Sequence, residues 1–329
     1  MTVVCGLVLA ALALWWTLRL LPAGVDKHHP LPYLIALVPL LWIPVTVIAL
    51  TTAAIGLWKI AVIAVILAVV MVAARVPLHR YRYRRAPRHE VSRETHRETV
   101  DDSHCTTLTA MTLNCRFGRA DAAAVVAAVR ERQVTVLALQ ELTPELVKAL
   151  DAAGLSKALP YRSLGVNRTT DNGGFNGIWT SYKPIASPSS AVNIPAADVP
   201  SITFQYRDND STVITAASAH PKSPMRGCQA WSQGIIGLSS LASTEKTLVL
   251  GDLNSGLDHP SFRRLLKAGF HDVSLDATGK PALTFPSWVP WPRLELDHAL
   301  VTNDIDALDA DAFIIPGSDH LALAVRLLV

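Results

Sequence analysis

An α/β domain carried behind an apolar N-terminal segment is the fold class this sequence predicts, and three observations predict it. Apolar residues crowd into the first 75 positions, in runs at 3–18, 31–50 and 60–74. Beyond residue 105, short runs of strand composition alternate with segments of helical period, so strands and helices interleave in one domain. Several of the apolar runs end abruptly in polar groups, most plainly TLVLGDLN at 247–254. In an extended chain residues i and i+2 share a side, so Asp252 and Asn254 project together from that strand's end. Asp, Asn and Gly also build ordinary turns, so the octapeptide alone does not decide between a turn and a site.

The N-terminal runs set the first element. About 20 apolar residues span the hydrocarbon core of a bilayer. The second run meets that length and the other two meet it with their flanks, so residues 1–75 are expected to form three transmembrane helices. Trp15, Trp16, Trp42 and Trp58 are candidate interfacial anchors. A signal peptide fits the first run poorly, because no Lys or Arg precedes Arg19, and its removal would still leave two spans.

Residues 76–104 read as a linker. Eight arginines fall in 75–102 without apolar periodicity, and near an anionic bilayer each contributes about 1 kcal/mol; a solvated charge run is the alternative. The net charge of +3 divides unevenly. Of 30 Lys/Arg and 27 Asp/Glu, 11 and 6 lie in residues 1–104, leaving 19 and 21 beyond. The soluble part is therefore net negative, which argues against a domain that tracks DNA by counterion release. Cys105, Cys115 and Cys228 include no C-x-x-C pair that would suggest zinc; one disulfide or three free thiols fit equally.

The domain, residues 105–329, is then read in order. A strand at 106–114 ends in Asn114. Residues 121–132 carry Val125, Val126 and Val129 on one helical face. A strand at 134–139 ends in Gln140-Glu141, and Thr143-Pro144 starts a helix as N-cap and first helical residue. Residues 161–177 read as a loop or hairpin, and 178–181 as a short strand. Strands at 202–207 and 212–219 are joined by a turn, the second ending in His220. A helix at 229–241 leads to the 247–254 strand, and 260–267 is a short helix. Residues 283–291 hold too much proline for regular structure. A strand at 294–301 has Asp297 near its start, and Ser318-Asp319-His320 precedes a last strand at 321–328.

Hard oxygen ligands such as Glu141 and Asp319 suit Mg²⁺, and histidines beside carboxylates suit proton transfer at a phosphate. Taken in order, Leu-Asn114, Leu-Gln-Glu141, a strand ending in His220, Gly-Asp252-Leu-Asn254, Leu-Asp297-His and Gly-Ser-Asp319-His320 resemble the endonuclease/exonuclease/phosphatase superfamily of DNase I-like enzymes. The resemblance covers residues 106–329. It implies a four-layer α/β sandwich, two packed mixed β-sheets flanked by helices, with the site at one end. It also implies roles. Glu141, Asn114 and Asp319 would hold Mg²⁺, or Mn²⁺ in its place; Asp252 would orient or deprotonate the attacking water; Asn254 would hold a phosphate oxygen. His320, oriented by Asp297, would contact the scissile phosphate, and His220 would stabilise the leaving group. His259, His271 and His298 match no such role and read as structural.

The layout of three spans, an arginine-rich linker and this domain further resembles an actinobacterial membrane-anchored branch that includes VanJ-like teicoplanin-resistance proteins. That resemblance implies a multi-pass cell-membrane hydrolase of a lipid-linked phosphate such as undecaprenyl pyrophosphate. A tethered nuclease acting on nucleic acid ranks below it, and a catalytically silent binding module below both. The loop at 285–292 carries Trp288 and Trp291, suited to an interface or to inward packing. The arginines after the third span favour a cytoplasmic domain by the positive-inside rule, whereas the resemblance implies an extracytoplasmic one.

Overall fold

The computed structural model describes residues 1–74, 107–167, 173–195, 198–206, 212–243 and 246–329. The expected linker and Cys105 lie outside them.

The N-terminal part is helical, but not as three straight spans. Helix α1 (Thr2–Thr17) runs on through a 3₁₀ turn at Leu18–Leu20, and Thr2–Leu20 is long and apolar enough to cross a membrane by itself. The expected second span is broken. Helix α2 (Leu31–Ala36), with the 3₁₀ turn Val38–Leu40, meets α3 (Trp42–Ala54) at a 53° bend. Pro39 gives the physical reason, since it lacks the N–H that would continue the ladder. The third, α4 (Trp58–Ala73), has 16 residues and falls short of a full span by length. Leu9, Val38, Val45, Ala49, Ala64 and Met71 pack together inside this group. Leu14, Leu50, Trp58, Val62 and Val69 face outward and are more than half exposed, an apolar outer surface far beyond what isolated surface residues explain.

The rest is two mixed six-stranded sheets packed face to face. The first has the order β11-β12-β1-β2-β4-β3, from β1 (Thr107–Asn114), β2 (Val136–Leu142), β3 (Tyr161–Leu164), β4 (Phe175–Thr180), β11 (Asp306–Ile314) and β12 (Leu321–Leu328). The second has the order β5-β6-β7-β8-β10-β9, from β5 (Pro184–Ala186), β6 (Ser201–Gln205), β7 (Val213–Ser218), β8 (Thr247–Asp252), β9 (Phe270–Asp272) and β10 (Asp297–Thr302). Each sheet has one parallel pair, β1 with β2 and β7 with β8. Parallel neighbours need a crossover, supplied by α5 (Ala122–Glu131) and α8 (Pro224–Gly237).

Side-chain alternation then builds the layers. Leu108, Ala110, Val136 and Ala138 face Phe204, Ile214, Leu248 and Leu250 between the sheets. On the outside of the first sheet Leu113 and Leu139 meet α5 and α6 (Pro144–Ala153) through Val125, Val129, Leu146 and Leu150. The short α7 (Leu155–Ala158) follows. On the outside of the second, Val249 and Leu300 meet α8 and α9 (Pro260–Lys267) through Trp231, Ile235, Phe262 and Leu265. The four-layer sandwich follows from these faces.

Several boundaries differ from the sequence reading. Of the two readings of 161–177 the hairpin holds, with Tyr161–Leu164 paired antiparallel with β4. The strand expected from residue 294 begins at Asp297, because Leu294 instead bridges Phe285. Strand β11, strand β9 and helix α10 (Val273–Thr278) carried no expectation. Cys5, Cys115 and Cys228 are free thiols.

The loop between the first two apolar helices is built into the sandwich domain. Fully buried Asp26 accepts hydrogen bonds from the Ser261 backbone N–H (2.9 Å) and hydroxyl (2.5 Å) at the start of α9, acting as a cap supplied from 235 residues away. Arg19 pairs with Asp258 at 3.1 Å with both side chains buried. His259 sits 3.0 Å from the Pro32 carbonyl through Nε2, and Arg263 donates to the Arg19 carbonyl.

Candidate active site

Strands β1, β2, β7, β8 and β10 deliver their polar ends to one end of the sandwich. Thr112 donates to Gln140, whose amide donates to Ser218, so a buried polar layer closes the apolar core below. Above it lies Asn114. Its amide donates to Asp252 Oδ2 at 2.9 Å and to Glu141 Oε1 at 3.3 Å, and its Oδ1 accepts from the Arg116 N–H.

Glu141 reaches this cluster through a local irregularity. The β2–β4 register shifts between Leu139 and Leu142, and Glu141 has φ +53°. A bulge of this kind turns a side chain that alternation would send elsewhere, at a backbone cost on the order of 1 kcal/mol for a non-glycine residue. Glu141 Oε2 then accepts the Phe117 N–H at 2.8 Å. No cationic side chain pairs with this buried carboxylate among the described residues.

Gly251 allows the next approach. A Cβ there would lie 1.8 Å from the Ala219 carbonyl, so β8 closes on the end of β7 only with glycine at that position. Asp252 thereby comes within 3.6 Å of His220 Nε2. Asn254, at φ +49°, folds back so that its N–H donates to Asp252 Oδ1 at 2.8 Å and its amide lies 3.3 Å from His220 Nε2.

Asp297 and Asp252 stand directly opposite each other across the antiparallel β8–β10 pair. Two facing carboxylates repel unless a cation lies between them. His320 fills that role: Nδ1 is 2.7 Å from Asp297 Oδ2 and Nε2 is 3.8 Å from Asp252 Oδ2. Burial alone would lower the His320 pKa, but Asp297 and then Asp252 outweigh it and push it up to about 10. Asp297 is correspondingly held below the usual carboxylate range: burial opposes this, and the His320 charge and hydrogen bond overcome it. The Phe285 ring packs 4.9 Å from the His320 ring.

Asp319 stands apart from that network. Its side chain is about one-quarter exposed and lies 3.6 Å from Arg116 Nε, the residue whose backbone holds Asn114. All eight sequence-predicted residues thus converge on one end of the sandwich, seven through a buried network and Asp319 through Arg116. The sequence reading missed Arg116, Gln140, Ser218 and Phe285. Gln140 was legible in principle, because a polar residue on the inward-facing parity of an apolar strand demands a partner.

Ligand atoms of Asp252, Asp297 and His320 lie within 4.8 Å of one another, as do those of Asp272, Glu295 and His298. In each group the histidine Nδ1 is taken up by a carboxylate oxygen 2.7 Å away. Glu141, Asn114 and Asp319 suit a hard cation: all are oxygen donors, and Glu141 has no cationic partner among the described residues.

The profile of the Endonuclease/Exonuclease/phosphatase family matches residues 111–320. A search of curated proteins finds no significant match. Among solved structures the chain is similar to D. rerio TDP2 humanized by 14 mutations, at 16% identity and TM-score 0.56, over 68% of this chain and 99% of that one. It is similar to D. rerio TDP2 complexed with single strand DNA product, at 17% identity and TM-score 0.56, over 68% of this chain and 100% of that one. A functionally unknown conserved protein from Enterococcus faecalis V583 gives 18% identity and TM-score 0.52, over 67% and 99%. At these identities the likeness bears on the fold.

Proposed function

The chain belongs to the Endonuclease/Exonuclease/phosphatase family and is a metal-dependent phosphohydrolase, and from that premise we propose that it is a membrane-anchored hydrolase of a lipid-linked phosphate or pyrophosphate such as undecaprenyl pyrophosphate. The observation that carries this reading is the buried contact of the 19–32 loop with the domain, through Asp26–Ser261 and Arg19–Asp258. It ties the site to the apolar helices instead of leaving it on a free tether, and a fixed site near a bilayer meets lipid-linked substrates at high effective concentration.

The residues divide the work of an in-line attack by water on phosphorus. Asp252 takes the water's proton; each of its oxygens accepts one N–H, leaving lone pairs for the water. Asn254 offers its amide to a phosphate oxygen. His320, kept cationic by Asp297, stabilises charge on the phosphate, and His220 faces the leaving group beside Asn254. Glu141, Asn114 and Asp319 would hold Mg²⁺ or Mn²⁺, which when bound neutralises charge on the non-bridging and leaving oxygens.

The test uses the full chain in vesicles. Phosphate release from undecaprenyl pyrophosphate should require Mg²⁺, stop with chelator and return with Mg²⁺ or Mn²⁺. Faster cleavage of DNA or RNA than of any lipid phosphate would overturn the substrate reading in favour of a tethered nuclease, the alternative supported by the likeness to TDP2 with its DNA product. We assign the domain to the extracytoplasmic face, and labelling of an engineered surface cysteine in intact cells by an impermeant reagent tests that side.

A further inference from the structure

A cavity of about 160 Å³ opens where the N-terminal helices meet the catalytic domain. One wall is Ile35, Leu40 and Trp42 from the α2–α3 segment; the other is Leu257, Leu283 and Trp291. The charged side chains around it are already engaged. Arg293 Nε donates to the Val289 carbonyl at 2.7 Å, Asp258 pairs with Arg19, His259 Nδ1 accepts the Gly256 N–H, and Glu295 accepts the Leu257 N–H. Glu295 Oε1 is left buried without a hydrogen-bond partner, and most of the surface that remains for an occupant is apolar.

The cavity is joined to the active site by the loop 283–296 as well as by the segment that follows Asn254. Residues 283–296 carry Leu283, Trp291 and Leu294 on the cavity side, and Phe285 against the His320 ring on the other. The antiparallel bridge between Phe285 and Leu294 ties the two sides together. At the helix end Trp42 and Trp291 lie 6.3 Å apart, with Trp291 and Trp288 more than half exposed.

We propose that this cavity holds the proximal hydrocarbon segment of an amphiphilic phosphate ester whose phosphate sits at His320 and Asp252. The inference rests on the lipid-phosphate reading above and adds the place where the chain binds. An apolar cavity of about 150 Å³ accommodates a benzene-sized molecule, so this one takes roughly one isoprene-sized unit and the remaining chain leaves past the tryptophans along the apolar helices.

The probe is a C15 prenyl monophosphate with a diazirine on its first isoprene unit, added to the full chain in phosphatidylcholine nanodiscs. Photolabelling should map to residues 35–42 or 283–296. Filling the cavity with Ala36→Phe, or separately with the part-exposed Leu283→Trp, should cut the labelling at least fivefold and raise KM for the prenyl ester to match. Hydrolysis of water-soluble p-nitrophenyl phosphate esters should stay within twofold of wild type, which also reports that each variant is folded. Labelling elsewhere, or labelling and prenyl-ester KM that ignore a folded variant, overturns the proposal. Labelling in the cavity without prenyl-ester turnover leaves the binding site standing and removes the lipid-phosphatase reading, so the two failures are distinct.

Discussion

Strand β10 places Asp297 and His298 next to each other in sequence and on opposite faces, and each belongs to a buried histidine–carboxylate pair. Asp297 meets His320 at 2.7 Å; His298 meets Asp272 at 2.7 Å. Both imidazoles stay charged to high pH. Burial alone would lower His298, but the Asp272 hydrogen bond and the Glu295 charge push it up to about 9, beside about 10 for His320. The difference lies in the second ring nitrogen. His298 Nε2 is 2.8 Å from the Ser255 carbonyl, which consumes it in holding the loop after β8. His320 Nε2 faces Asp252 at 3.8 Å, too long for a hydrogen bond and open to a phosphate oxygen. The pairing chemistry is shared, and what the second nitrogen faces separates the group proposed to handle substrate from one that holds the fold.

The comparison breaks first at Asp252, which touches the His320–Asp297 pair and not the His298–Asp272 pair. Asp252→Ala should reduce kcat by about 10² to 10⁴ fold, the range of a lost general base, measured as initial rates beside an unchanged circular-dichroism spectrum. Equal turnover would remove Asp252 from the chemistry. Next come matched substitutions of the two carboxylates. Asp297→Asn should lower kcat by about 10² fold or more through loss of the imidazolium and its orientation. Asp272→Asn should instead cost about 3 to 5 kcal/mol of stability by leaving His298 charged and unpaired in the interior. A double set of melts and rate assays decides; if both variants lose activity alike at equal stability, the two pairs are not functionally distinct.

Titration sharpens the same contrast. Burial, with Asp272 adding, raises Glu295 from 4.5 to about 7 against the opposing His298 charge. Its stabilisation as a neutral acid is complete below 4.5 and is lost as pH rises through about 7. The His298 contribution is complete below 6.5 and is lost as pH rises through about 9. Melting temperature should therefore fall in two stages on the alkaline side. Glu295→Gln, which keeps the acceptor for the Leu257 N–H, should flatten the earlier stage alone, by thermal melts from about pH 5 to about pH 10. The smallest effect belongs to the interdomain cap: Asp26→Ala should cost about 1 kcal/mol or somewhat more, read as a lower melting midpoint with kcat on soluble esters retained.

Much of this is legible in the sequence alone, for a physical reason. Strand ends at β1, β2, β7 and β8 carry polar residues that no apolar core would select, so Asn114, Glu141, His220 and Asp252 stood out by contrast with their own strands. The exposed edge strand β11 offered no such contrast, since ALDADAF mixes charges into a half-buried strand with few apolar anchors. His298 looked structural because the resemblance gave it no role. Its partner Asp272 lies on a three-residue strand that periodicity cannot detect. Nor does local composition reveal that Asp26 caps α9, because the sequence reads each helix start by its own preceding residue.

That cap sets a schedule for biogenesis. Asp26 leaves the ribosome some 235 residues ahead of Ser261, and β1, which lies between β12 and β2, waits almost as long for its final-strand partner. Long-range closures of this kind form slowly. In a nascent chain the carboxylate of Asp26 therefore stays hydrated while the domain is made, and the loop is sealed against the domain only after Ser261 has emerged. A chain stopped before β12 would expose the central edge of the first sheet and should be cleared by proteolysis rather than accumulate as an inactive enzyme.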